Sequence, residues 1–232
     1  MGGQACVFYG AAQFSKDIDF LILAGESNFK GLHRALEDLQ ARRIAVPRFS
    51  PEVLSRGHAV HFRCSAPGVE GLRVDVMTNL RDLPDFEELW SRRTTLVPDE
   101  GGEVHLLSIP DLVLAKKTQR EKDWPVIEAL VEGHYDAFHS EPNSERLEFW
   151  FLESRAPERL IELCERFPDE AARFSKFRPL LSKALNSDHW ELRVELDAEK
   201  RREQEKDRRY WEPLKREMEE FRRAERLDSG NA

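Results

Sequence analysis

The sequence predicts an α+β protein: a mixed β-sheet flanked by helices, followed by an all-helical C-terminal region with a long charged helix. Three observations carry that reading. Strand-like apolar runs occupy residues 14–23, 58–64 and 72–77. Between the first two, Phe29, Leu32, Leu36 and Leu39 recur at helical spacing. From 195 to 227 the chain is almost all Glu, Lys, Arg, Asp and Gln, with Tyr210, Trp211, Leu214, Met218 and Phe221 as a sparse stripe. Opposite charges four residues apart suit that last stretch to a long exposed helix.

The elements follow in order. Residues 4–12 are mostly small and apolar and come directly after Gly2-Gly3, which reads as a short helix ending near Gly10. Residues 14–23 form the first strand. A turn at 25–28 offers Ser27 or Asn28 as the cap of a helix over 29–42. Residues 46–53 read as a Pro-containing loop with a short helical turn. Residues 58–64 alternate as a strand, and Pro67-Gly68 marks a turn. Over 72–77, Leu72, Val74 and Val76 share one face, and Arg73, Asp75 and Met77 the other. Residues 86–92 suit a helix. Residues 94–97 and 104–107 suit a small hairpin or edge strands, split by the polar 99–102 stretch.

Ser108, Pro110 and Asp111 then open a helix: a capping hydroxyl, a proline in the first turn and an acid at the positive end. That helix is expected to reach about Arg120. A second runs over 122–134, and others over 144–154 and 158–166. The expected division is 1–135 as one domain and 136–232 as a helical C-terminal region.

Composition narrows the classes of function. The chain has 232 residues, 40% hydrophobic, enough for a substantial core. Charged residues make up 34%, and the net charge of -8 excludes a generic nucleic-acid coat while leaving room for a local basic site. Cys6, Cys64 and Cys164 have neither zinc spacing nor a disulfide framework, so they are expected as buried thiols. There is no leader-like start, and no apolar run approaches the roughly 18 residues of a membrane span. The expectation is a cytoplasmic protein without a membrane partner.

The chemistry concentrates in acids. Asp17 and Asp19 lie two apart in a strand, so their carboxylates project from one face. Two like charges about 4 Å apart repel by about 4 kcal/mol at an effective dielectric near 20. If the strand of Asp75 lies beside them, three carboxylates converge. Such a set favours a hard divalent cation with oxygen ligands, Mg2+ or Mn2+. The glycine pair permits close backbone approach, which suits a phosphate. The plain alternative is that Asp17 and Asp19 pair with Lys16 or Arg73, and an Asp-x-Asp alone is weak evidence against it.

Met1-Gly2-Gly3, the thirteen positions that follow, Asp17-Ile18-Asp19 and the later Asp75 together resemble the nucleotidyltransferase superfamily, the fold of DNA polymerase β and its minimal bacterial relatives. Within it, the chain is most similar to stand-alone bacterial members akin to the AbiEii toxin component. Those carry a Lys-containing helix followed by an Arg-x-Lys-Asp or Arg-Asp element, matched here by the run from Leu114 to Asp123. The resemblance covers about residues 1–135. It implies a minimal nucleotidyltransferase core. It implies Asp17, Asp19 and Asp75 as catalytic metal ligands, with Asp75 nearest the acceptor hydroxyl. It implies that Gly2, Gly3 and Ser15 hold the triphosphate, that Lys116 or Lys117 neutralises phosphate charge, and that Asp123 positions Arg120 or Lys122. Family members have an apolar strand ahead of the glycine pair. A chain beginning at Met1 implies an internal start or a missing strand.

The implied activity is transfer of a nucleoside monophosphate from an NTP to a hydroxyl on RNA, protein or a small molecule, with release of pyrophosphate. One alternative is a degenerate relative that binds nucleotide or RNA, or a scaffold acting through its charged helix. Another is the toxin of a toxin–antitoxin pair. The charged helix either packs its aromatic stripe on the domain or binds a protein partner, and Lys200-Arg201-Arg202, flanked by Glu199 and Glu203, is a poor nucleic-acid patch.

Other residues offer less. His58 and His61 face opposite ways on a strand, so a shared metal is not expected. Ser15 and Cys6 lack an adjacent base. The five tryptophans read as packing anchors, with base stacking as the alternative for Trp124.

Overall fold

Alternation of apolar and polar side chains decides which way the sheet faces. In the computed structural model, residues 1–99 and 101–230 are described. Their order is α1 (Gly2–Phe8), β1 (Asp17–Leu21), α2 (Glu26–Asp38), β2 (Arg42–Arg43), α3 (Pro51–Ser55), β3 (Val60–Arg63), β4 (Arg73–Met77), α4 (Phe86–Ser91), β5 (Thr94–Leu96), β6 (Val104–Leu106) and α5 (Ile109–Lys116). A short 3-10 turn (Glu121–Asp123) follows, then α6 (Trp124–Phe138), α7 (Ser144–Glu153), α8 (Pro157–Arg166), α9 (Pro168–Phe174), α10 (Leu181–Leu185) and α11 (His189–Gly230). The architecture is α+β, with a small mixed sheet and a long C-terminal helix. No helix among the described residues is long and apolar enough to cross a membrane.

The sheet order is β1-β4-β3-β2, with β5 and β6 as a separate hairpin. β1 runs parallel to β4, and β3 runs antiparallel to β4 and β2. Val60, Phe62, Val74 and Val76 point to one face and join Leu36, Val53, Leu54 and Cys64 in a core. Phe29, Leu32 and Leu39 of α2 close over it. Fully buried side chains such as Leu54, Val60 and Val76 each stabilise the fold by about 1.5–3 kcal/mol. The opposite face carries the polar set. Asp17, Asp19, Arg73, Asp75, His61 and Arg63 alternate with the core residues along their strands.

Contacts gather the chain into two compact units: residues 1–8, 12–115 and 209–232, and residues 9–11 with 116–208. In the first, the end of α11 packs on the sheet's core layer through Phe221. Its Glu217 accepts from Arg56 and pairs with the buried His58, and Glu225 pairs with Arg43 at 2.8 Å. Gly57 has φ +93, and a Cβ there would meet the Tyr210 hydroxyl at 2.9 Å. Within this unit the aromatic stripe therefore packs against the domain, as one of the two readings of the tail expected.

The second unit is all helical. Ile127, Leu130, Trp150, Phe151, Leu160, Leu163, Leu181 and Leu192 are buried in it. Arg178, only 4% exposed, grips Glu199 with two hydrogen bonds of 3.0 and 2.7 Å and donates to the Phe151 carbonyl at 2.9 Å. Arg155 also donates to Glu199 and to the Leu196 carbonyl. Burial pushes the Glu199 carboxyl up, but Arg178 and Arg155 outweigh it and hold it below the usual range. Removing one partner of such a set leaves an uncompensated buried charge, at about 3–5 kcal/mol for fully buried groups.

Several boundaries move. The first strand is shorter than 14–23, because Phe14 is exposed and only 17–21 pair with β4. Neither Ser27 nor Asn28 caps α2. Gly25 takes that position without a side-chain bond, and Asn28 Nδ2 donates back to the Leu23 carbonyl. α5 stops at Lys116 rather than near Arg120, because Thr118 and Arg120 turn onto Asp123. α6 begins at Trp124 and continues to Phe138. Ser108 does cap α5, accepting from the Asp111 amide, and the 94–107 hairpin is present. Glu100, in its expected turn, lies outside the described residues.

One titratable group makes the helical unit pH-sensitive. His134 Nδ1 accepts from Trp150 Nε1 at 2.9 Å, so the ring is neutral with its proton on Nε2. Burial, with Arg146 nearby, pulls its pKa down to about 4. Below the unfolded value of about 6.5, the unfolded chain takes a proton that the folded ring refuses. Stability therefore falls as pH drops from about 6.5 to about 4, by about 1–3 kcal/mol. Urea unfolding across that range should show this loss in the native chain. His134→Gln, which keeps an acceptor for Trp150, should remove that share of it.

Candidate active site

The acids come together through strand register. Asp17 and Asp19 alternate with Ile18 and Phe20, so both leave β1 on the sheet's polar face. Parallel pairing sets Asp19 directly opposite Asp75 and Asp17 opposite Arg73. Asp17, Asp19 and Asp75 thus share one face of two adjacent strands.

The glycine pair lies against Asp19. Gly2 has φ +67, a left-handed conformation that favours glycine, and a Cβ there would fall 1.8 Å from Asp19 Oδ2. A Cβ on Gly3 would fall 2.5 Å from Ser15 Oγ. The Gly3 amide donates to Asp19 Oδ2 at 3.4 Å, and Ser15 Oγ donates to the Asp17 carbonyl at 2.9 Å. Backbone thus approaches the carboxylate more closely than any side chain permits. Burial pushes the Asp19 carboxyl up, and the charges of Asp75 and Asp17 push it further; the Met1 amino group, which donates to the Asp19 carbonyl at 2.9 Å, and the Gly3 amide offset only part of this.

Asp75 is held differently. Arg73 Nε and Nη2 donate to its two oxygens, each at 2.8 Å, and His61 Nδ1 lies 2.8 Å from Oδ1. Burial raises its carboxyl, but the bonds from His61 and Arg73 prevail and lower it. The plain alternative, Arg73 or Lys16 pairing with Asp17 and Asp19, differs from what is found: the direct bonds of Arg73 go to Asp75. His61, considered from sequence only as a metal partner of His58, lies opposite Asp75 through the β3–β4 register.

Lys116 and Lys117 belong to the second unit, and both have carboxylate partners there. Lys116 is buried with Nζ 3.4 Å from Asp123 Oδ1, and Lys117 reaches Glu153 at 2.6 Å. Asp123 also accepts from Thr118 Oγ1 at 2.6 Å and from Arg120 Nε at 2.8 Å, so it does position Arg120. Trp124 is buried, with Nε1 donating to the Thr118 carbonyl, so it is a packing anchor with no face for a base.

The donor set fits a hard divalent cation in part. Asp17 and Asp19 supply oxygens on one face, and Asp19 is pushed up first by burial and then by the neighbouring charges of Asp75 and Asp17. Asp75, engaged by Arg73 and His61, does not complete the set as it stands. Among the described residues, no three His, Cys, Asp or Glu side chains are grouped closely enough to ligate one ion. No protein-family model matches the chain, and no curated protein matches it.

The crowding at Asp19 has a measurable consequence. A carboxyl whose folded pKa is raised binds its proton more tightly in the folded state. Stability is then greatest below the unfolded value, about 3.9, and declines as pH rises through the folded value. Asp19→Asn keeps an acceptor for the Gly3 amide and removes the charge. Without added metal it should raise the melting temperature at pH 7 by a few degrees, with the gain vanishing near pH 3.5.

Proposed function

We propose that the first unit is a nucleotidyltransferase that moves a nucleoside monophosphate from an NTP to a hydroxyl acceptor. The observation supporting this is the register of β1 on β4. It sets Asp19 opposite Asp75, with Asp17 on the same face and the Gly2-Gly3 backbone against Asp19.

The chain's own residues divide the work. Asp17 and Asp19 would hold Mg2+ or Mn2+, which supplies charge neutralisation and Lewis acidity to the phosphate when bound. Gly2 and Gly3 bring backbone rather than side chain to the place where phosphate oxygens would lie, with the Ser15 hydroxyl beside Gly3. Asp75 faces the acceptor side. The acceptor oxygen forms a bond to the α-phosphorus, the bond from that phosphorus to the α–β bridging oxygen breaks, pyrophosphate leaves and the hydroxyl proton passes to a carboxylate oxygen or to water. Most of the acceleration in such a transfer comes from positioning and electrostatics.

A second reading has its own support. Arg73 and His61 occupy both oxygens of Asp75, the arrangement expected of a site that binds nucleotide without turning it over. One experiment separates the two. The protein is incubated with Mg2+ and each α-labelled NTP, in the presence of RNA, protein and small-alcohol acceptors. The first reading predicts a labelled acceptor, and at least a 100-fold loss in Asp17→Ala or Asp19→Ala, of the order seen when a transition-state contact is removed. Metal-dependent nucleotide binding without label favours the second. Neither label nor nucleotide binding would sink both.

A further inference from the structure

The polar face of the sheet carries a second row beside the acids. Along one rung lie Asp19, Asp75 and His61, on β1, β4 and β3. Two residues away on the same face, the rung reads Asp17, Arg73, Arg63 and Arg42, on β1, β4, β3 and β2. Residues directly opposed in register share a face. Three guanidinium groups therefore stand on successive strands, over two strand spacings of about 4.8 Å each.

Arg73 is committed to Asp75. Arg63 and Arg42 are exposed, and among the described residues no carboxylate pairs with either. Like charges directly opposite on neighbouring strands are destabilising. A cation on the edge strand β2 protects the sheet against edge-to-edge pairing. That reason does not reach Arg63, because β3 lies inside the sheet between β4 and β2. Two adjacent guanidinium forks instead match the oxygens of a phosphate, which each fork binds bidentately.

Position adds to charge. Arg63 lies one strand from Asp75 and one rung from the His61 that touches it. A phosphate on Arg63 and Arg42 would sit on the far side of Asp75 from Asp19, the side from which the acceptor hydroxyl approaches. We propose that Arg63 and Arg42 dock a phosphate of the acceptor, so that the acceptor is a phosphate-bearing alcohol. This rests on the nucleotidyltransferase reading. The phosphate is either a diester within a nucleic-acid strand or the monoester of a small alcohol.

The test reads binding without NTP or metal. A fluorescein-labelled single-stranded oligoribonucleotide is titrated by anisotropy over a salt series, and glycerol phosphate is titrated separately by calorimetry. The proteins are the native chain, Arg42→Gln/Arg63→Gln and, as a control for loss of an exposed arginine elsewhere, Arg34→Gln, each checked by thermal melting. If the phosphate belongs to a strand, the double variant should bind the oligonucleotide about 10-fold more weakly at low salt. Its slope of log K against log salt should be shallower by about 1.4, two contacts at about 0.7 each. If it belongs to a small alcohol, glycerol phosphate should bind the native chain and not the double variant. Arg34→Gln, on α2 over the sheet's core face, should bind like the native chain in either arm. Equal affinity and slope for native and double variant in both arms would overturn the inference. Arginine-dependent binding by a protein that labels no acceptor would remove the nucleotidyltransferase reading and with it the acceptor role, leaving a phosphate site on Arg63 and Arg42; labelling with arginine-independent binding would remove this inference alone.

Discussion

The parallel pairing of β1 with β4 is the constraint on which the rest depends. It sets Asp19 opposite Asp75 with Asp17 two residues away, on the face opposite the one that Val74 and Val76 turn to the core. A slip of β1 by one residue would carry Asp17 and Asp19 to the side of those valines. Hydrophobic patterning thus imposes an electrostatic cost, which the surrounding residues answer unequally. Asp75 receives Arg73 and His61 and is held ionised. Asp19 receives the Gly3 amide and remains pushed toward its protonated form. The shortfall of positive charge lies at Asp19, on the side where Gly2 keeps side chains away.

The helical unit solves its own charge problem in a different way. Glu199 is shared by Arg178 and Arg155, whose remaining donors go to the carbonyls of Phe151 and Leu196. Each of these three charges has a partner, and the network ties α7, α11 and the segments beside them together. Lys116 and Lys117 follow the same rule through Asp123 and Glu153. A lysine beside an acid-rich sequence reads as a phosphate ligand until its partner is visible. The partners here lie 7 and 36 positions along the chain.

The strands of the sheet were legible where alternation was strong. Leu72, Val74 and Val76 against Arg73 and Asp75 gave the correct faces, and the helical spacing of Phe29, Leu32 and Leu36 located α2. The shared face of the acids was legible from their spacing. Their lateral order was not, because register across β3 and β4 is a tertiary property. For that reason the sequence offers no sign that His61 and Arg73 both meet Asp75. β2 has only Arg42 and Arg43, too short for any periodic signal. The polar 195–227 stretch announced a helix, but not that its end returns to the sheet unit, since that depends on single contacts such as Glu217 with His58. α9 and α10, at seven and five residues, are too short to show a face.

We propose that Asp17 and Asp19, on one face beside the Gly2-Gly3 backbone, mark a cation–nucleotide site. Its most direct test is a crystal structure of the protein grown with Mn2+ and a non-hydrolysable NTP analogue, read by anomalous scattering from the manganese. The account predicts an anomalous peak in contact with Asp17 and Asp19 and with the nucleotide's phosphates, beside the Gly2-Gly3 backbone. Nucleotide bound elsewhere, or no manganese at these two carboxylates, would contradict it.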